Sequence, residues 1–148
     1  METQLFRKAL FVVALFITMT SGLSVLAQET KESHTSLPLH PGLTFQQEVD
    51  GPVCGKKAAI NIYDAPLSAT LAEYISWYKE HMKGAHYVHK MWSNRAQEMF
   101  YSPDGLSGVT ITGSPSRPGV FAVSYLKMST PITTHQMDLF APNNTTCK

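Results

Sequence analysis

Hydrophobic positions along this chain follow three different rhythms. From Ala9 to Ile17 they form one unbroken run, Ala-Leu-Phe-Val-Val-Ala-Leu-Phe-Ile, directly after Arg7 and Lys8. Between Ala58 and Asp64 they alternate, Ile60 and Ile62 against Asn61 and Tyr63, which is the period of a half-buried strand. From Ser68 to Lys83 the step lengthens to three and four. Leu71, Tyr74, Ile75, Tyr78 and Met82 make an apolar stripe, and Glu73, Ser76, Lys79, Glu80 and Lys83 fill the other side. That pattern predicts an amphipathic helix. Ser68 as N-cap, or Thr70 with Glu73 as a capping box, would start it, and Gly84 would end it in the left-handed region.

Strand signals dominate downstream. Tyr87 to Trp92, Glu98 to Tyr101, Gly108 to Thr112 and Val120 to Met128 are separated by Ser93-Asn94-Arg95, Ser102-Pro-Asp-Gly105 and Ser114-Pro-Ser-Arg-Pro-Gly119. Upstream, prolines 38 and 41 make Leu37–Leu43 irregular, and Gly51-Pro52 and Gly55 read as turns around Cys54. The last twenty residues, with Pro131 and Pro142, carry no clear period. The order β-α-β-β-β-β predicts an α+β domain, an antiparallel sheet of about five strands with one main helix packed on one face.

The first apolar run is too short to span a bilayer, which takes roughly 20 residues, and has the basic flank and length of a secretory signal. Thr18, Thr20, Ser21, Gly22 and Ser24 dilute it, and Val25-Leu26-Ala27 suits a peptidase, with cleavage after Ala27. An uncleaved anchor extending to Leu26 is the alternative. The expected organisation is a signal peptide over 1–27, a flexible leader over 28–36 and a single domain over 37–148. The product would be exported, periplasmic or secreted, with no stable membrane insertion after cleavage. Leaving out Arg7, Lys8 and Glu2 from 12 basic and 11 acidic side chains makes the mature part formally neutral. Such a balance gives no electrostatic reason to gather on nucleic acid. In an oxidising compartment Cys54 and Cys147 would pair, and closing so long a loop is worth roughly 4 kcal/mol in the chain-entropy model.

The Pro41-Gly42 segment and the helix Leu-Ala-Glu-Tyr-Ile-Ser-Trp-Tyr-Lys (71–79) before a run of strands resemble small exported bacterial proteins of unknown function. The resemblance spans residues 38–128 and implies a sheet-plus-helix fold, with no activity attached.

Chemistry is sparsely signalled. Histidines 34, 40, 81, 86, 89 and 135 and methionines 82, 91, 99, 128 and 137 raise the possibility of soft metal ligation, but their spacing builds no local site. No cofactor is called for. Ser76-Trp-Tyr-Lys79 matches S-x-x-K, yet its partner motifs are missing and both residues sit on the solvated helix face. Carboxylates such as Asp64, Glu73, Glu98 and Asp104 could supply an acid/base pair, but no two are brought together by spacing. Asn143 and Asn144 each begin a glycosylation sequon, relevant in a eukaryote only.

The sharper expectation concerns the sheet face away from the helix. If Ile60, Ile62, Val109 and Ile111 point at the helix, Asn61, Tyr63, Thr110 and Thr112 point away. One parity of the 87–92 strand joins them, either Tyr87, His89 and Met91 or Val88, Lys90 and Trp92, and Tyr101 is a further member. Tyr63, Tyr87, His89, Met91 and Tyr101 are therefore the candidate ligand face, unless the C-terminal twenty residues, pinned by Cys147, fold over it. The long strand 120–128 is apolar on both faces and should be central. Together these features suggest a non-enzymatic exported binding or envelope-associated domain of unknown ligand. The alternatives are a small secreted hydrolase with a dispersed site and a structural or assembly protein of the envelope.

Overall fold

In the computed structural model, residues 36–141 and 143–148 are described, so the signal and leader expectations, and His34, lie outside the described residues. Strands β1 (Thr44–Val53) and β2 (Lys56–Asp64) form a hairpin, helix α1 (Leu71–His81) follows, and strands β3 (His86–Trp92), β4 (Arg95–Tyr101), β5 (Ser107–Gly113) and β6 (Phe121–Met128) run as a meander. A short helix, α2 (Thr134–Leu139), precedes the C-terminus. All strand pairings are antiparallel, in the order β1-β2-β6-β5-β4-β3. The α+β class and the helix-on-sheet plan hold. The strand count is six, one more than the pattern suggested.

The added strand is β1. Polar residues crowd it, and it lies at a sheet edge, where Pro52 is tolerated because its missing N–H breaks no inner ladder. Gly51 and Pro52 are strand residues, and the turn falls at Cys54-Gly55, both with positive φ (52° and 72°). That is the backbone a two-residue hairpin turn of matching twist requires.

Helix α1 starts at the second of its two signals. Thr70 Oγ1 accepts the Glu73 N–H and Glu73 Oε2 accepts the Thr70 N–H, a complete capping box. Its Leu71, Tyr74 and Tyr78 pack over Tyr63, Phe100, Val109, Ile111, Val123 and Tyr125 in a core rich in aromatic rings. Two buried phenols tie three parts of the chain together. Tyr125 Oη donates to Pro38 O (2.7 Å), so the proton between the Tyr78 and Tyr125 oxygens, 2.5 Å apart, comes from Tyr78. Tyr125 Oη also accepts the His40 N–H at 3.4 Å. Burial, first among the causes, pushes both phenols well above their ordinary value.

A second core occupies the other face. Met99, Tyr101, Leu126 and Met128 meet Ile132, Met137 and the Cys54–Cys147 disulfide, with Ile60, Val88, Leu139 and Phe140 at its margin. The C-terminal segment thus covers that face, and helix α2 within it is opened by a second capping box, Thr133 with Gln136. Gly105 lets this segment approach: at φ 70° a side chain there would strain the backbone, and a Cβ would lie 2.2 Å from Ile132 O. Strand β6 pairs on both sides and is buried on both faces, as its composition suggested. Of the sequon residues, Asn143 is exposed, whereas Asn144 Nδ2 already donates to Leu139 O (3.2 Å).

The disulfide closes a separation of 93 residues. Replacing both Cys54 and Cys147 by Ser should lower stability by roughly 4 kcal/mol in urea unfolding. The loss should be accompanied by protease cleavage within 129–141, the strip that the bond holds down.

The Leu37–Leu43 segment should be pH-sensitive. His40 stacks on Tyr74 (4.0 Å between centroids), and its Nδ1 accepts the Gly42 N–H at 3.1 Å. Burial and then the charge of His81 hold its pKa below the ordinary 6.5. The folded state therefore favours the neutral ring. Its contribution is full above 6.5 and is lost as the pH falls through the lowered folded value. Urea midpoints measured from pH 8 to 5 should fall less steeply in His40→Gln than in the native chain.

Candidate functional site

Beta-strand parity, once two strands are paired, decides which side chains meet. The β3–β4 register sets Tyr87 opposite Phe100, His89 opposite Glu98 and Met91 opposite Ala96, all on the helix side of the sheet. Helix α1 covers the middle of that face and leaves the β3 margin open. Tyr87 is 37% exposed and Met91 56%.

Glu98 organises this margin. Its side chain is only 4% exposed, against 49% for His89. The Tyr87 hydroxyl donates to Oε2 at 2.6 Å, and His89 Nδ1 lies 2.7 Å from Oε1. A carboxylate can only accept, so Nδ1 carries the proton, and whenever the ring is neutral Nε2 is the acceptor facing away from Glu98. The Tyr87 ring rests against Phe100 (4.9 Å), and the Lys79 ammonium from α1 sits 4.5 Å over it. Both carboxylate oxygens are thus satisfied by residues of the edge strand, which holds those two side chains in one orientation.

Of the five residues expected on one ligand face, the structure brings three together: Tyr87, His89 and Met91. Tyr63 shares their side of the sheet but is buried in the aromatic core, and Tyr101 is buried on the opposite face beside Met99. The expected orientation is reversed, because the open patch lies beside the helix and the far face is the covered one. The cause is the parity of β2. Tyr63 and Asn61 turn towards α1, and Ile60 turns to the disulfide-side core. A tyrosine ring fills the aromatic core beside Tyr125 and Phe45, 5.3 and 5.5 Å away, better than the shorter isoleucine. On the other face of β3, Lys90 Nζ donates to Phe140 O (2.6 Å) and His86 Nε2 pairs with Asp138 (2.8 Å), so that parity is engaged by the C-terminal segment.

Sequence reasoning missed Glu98 as the centre of the site. The signal lay in the Ser93-Asn94 turn, since a two-residue hairpin loop at that point places position 89 opposite 98. The arrangement offers a hydrogen-bond acceptor, an aromatic face and a thioether in one strip. Among the described residues, no three of His, Cys, Asp and Glu converge as metal ligands would. Comparison with known proteins returned no matching family model, no matching curated protein and no matching solved structure.

Burial, then the hydrogen bond and charge of Glu98, push Tyr87 up to about 12. A raised folded value means its contribution to stability is present below pH 10 and is lost as the pH rises towards 12. In difference absorbance titrations of each protein against its Tyr87→Phe counterpart, Glu98→Gln should bring the Tyr87 midpoint down towards 10.

Proposed function

We propose that this chain is an exported, non-enzymatic binding domain that receives an extended peptide along strand β3. One observation carries the reading: a buried carboxylate, Glu98, fixes two exposed residues of a sheet-edge strand through hydrogen bonds of 2.6 and 2.7 Å. Among the described strands β3 pairs only with β4, so its outer backbone is available to an added strand. Tyr87 would stack on the incoming chain, His89 Nε2 would accept a donor from it, and Met91 would adapt to an apolar side chain.

Export is supported by the Ala9–Ile17 run with its basic flank and by the Cys54–Cys147 disulfide, a bond that persists in oxidising surroundings. Among the described residues no helix is long and apolar enough to cross a membrane. A second reading, a small hydrolase, draws on the Glu98–His89 pair, whose outward nitrogen has the arrangement of a general base.

Binding is tested with a library of extended heptapeptides, followed by amide shifts along 86–92. Selected peptides should lose affinity roughly tenfold with Tyr87→Ala or His89→Ala, in line with one aromatic or hydrogen-bonding anchor each, and be unaffected by Lys57→Gln. Unchanged affinity in both β3 variants would overturn the reading. Ester or peptide cleavage abolished by His89→Gln would favour the hydrolase. In the same preparations the mature chain should begin at Gln28 and be recovered outside the cytoplasm; a full-length cytoplasmic product would refute export.

A further inference from the structure

A concavity of about 370 Å³ opens where the β3–β4 turn meets the β5–β6 loop, and it shares no residue with the Tyr87–His89–Glu98 strip. Arg95 and Arg117 both line it, together with Asn94, Ser114 and Ser116 and the apolar Val120 and Phe121. No carboxylate lines it. Among the described residues neither guanidinium has an ion pair or hydrogen bond, although the chain carries nearly as many acids as bases. Two like charges lining one cavity repel, and the arrangement is stabilised once an anion occupies it.

The walls are held in place before any ligand arrives. Arg95 opens strand β4, and its odd spacing from Glu98 turns it to the opposite face of the sheet. Arg117 sits in a loop stiffened by Pro115 and Pro118 and braced internally by Ser114 N–H to Val120 O (3.1 Å) and Arg117 N–H to Ser114 O (3.4 Å). The far end of the loop is bolted to the segment before α1, because Gly119 N–H donates to Ala69 O at 2.7 Å. Gly119 has φ 67°, and a Cβ there would lie 2.4 Å from Leu67 backbone atoms, so only glycine permits this docking. The Ser114 and Ser116 hydroxyls are 3.2 Å apart.

We infer that this concavity is a binding site for a small dianion, either a phosphate monoester or a dicarboxylate with a short apolar body. Paired guanidiniums present forked donors that match oxyanion geometry, the hydroxyls and the Asn94 amide supply further hydrogen bonds, and Val120 meets the apolar part. The volume stands at the lower end of that of ligand pockets, which suits a small metabolite rather than a polymer.

Inorganic phosphate, phenyl phosphate and succinate are titrated separately into the full chain at low ionic strength, by calorimetry and amide shifts. Saturable shifts are expected at residues 94–95 and 114–117. Arg95→Gln and Arg117→Gln should each weaken binding about tenfold, the loss expected for one charge-assisted contact, and Arg117→Lys should fall between. Lys127→Gln, a cation outside the pocket, should bind as the native chain does. Tighter binding of phenyl phosphate than of succinate assigns the phosphate ester, and the reverse assigns the dicarboxylate. Absence of saturable shifts with all three probes, or equal loss in Lys127→Gln, overturns the site. Should Arg95→Gln fail to fold, Arg117→Gln, on an exposed loop, decides alone.

Discussion

Covering both faces of one sheet with a short chain is the constraint on which the rest of this structure depends. Helix α1 answers it on one side through its own amphipathic stripe. The other side is closed by a C-terminal segment whose regular element among the described residues is a helix of six residues, too few to be stable alone. The Cys54–Cys147 bond supplies what that segment lacks, anchoring its end to the β1–β2 turn and holding Ile132 and Met137 against Met99, Leu126 and Met128. Strands β4, β5 and β6 are therefore interior on both faces, and side chains at their partly covered neighbours are left to meet solvent.

The open margin at β3 follows from this division. Helix α1 is eleven residues long and meets the edge strand only through Lys79 over the Tyr87 ring, so Tyr87 and Met91 stay partly exposed. A carboxylate at Glu98 is tolerable there because it lies at the boundary between core and solvent, buried itself yet bonded to residues that are not. Its two partners gain a fixed orientation, which lowers the entropic cost of presenting them to another molecule. On the opposite face the same strand is fastened to the C-terminal segment through His86 and Lys90. Strand β3 is thus held on one face and presented on the other.

Much of this architecture was legible in residue order, and the gaps have physical causes. The period of Leu71, Tyr74, Tyr78 and Met82 located α1, and the turn residues bounded β5, β6 and the end of β4, whose start lies at Arg95, three residues before the expected Glu98. The parity of β2 was misread because hydropathy ranks Ile60 and Ile62 above Tyr63, whereas the space beside Tyr125 selects for an aromatic ring. Strand β1 escaped notice since an edge strand is solvated and need not alternate, and its Gly51-Pro52 pair carries a turn signal that edge geometry overrides. Helix α2 is too short for a period, and its capping box, Thr133 with Gln136, sits in a stretch that carries no hydrophobic rhythm to point to it. Glu98 belongs to a different category. Its role exists only across two strands, so no single segment could reveal it.

The two edges of the sheet are unlike, and this limits how copies of the chain can associate. Strand β1 has a register shift between Phe45 and Gln47, carries Pro52, and presents charged residues such as Asp50, which pairs with Lys57. Those features blunt an edge against further pairing. Strand β3 has no register shift and no proline among its seven residues, and its Lys90 is drawn to Phe140 O. Two copies meeting strand to strand would have to use β3 on both sides, a self-complementary contact that closes at a dimer. A fibril would need two receptive edges, and the described strands offer one.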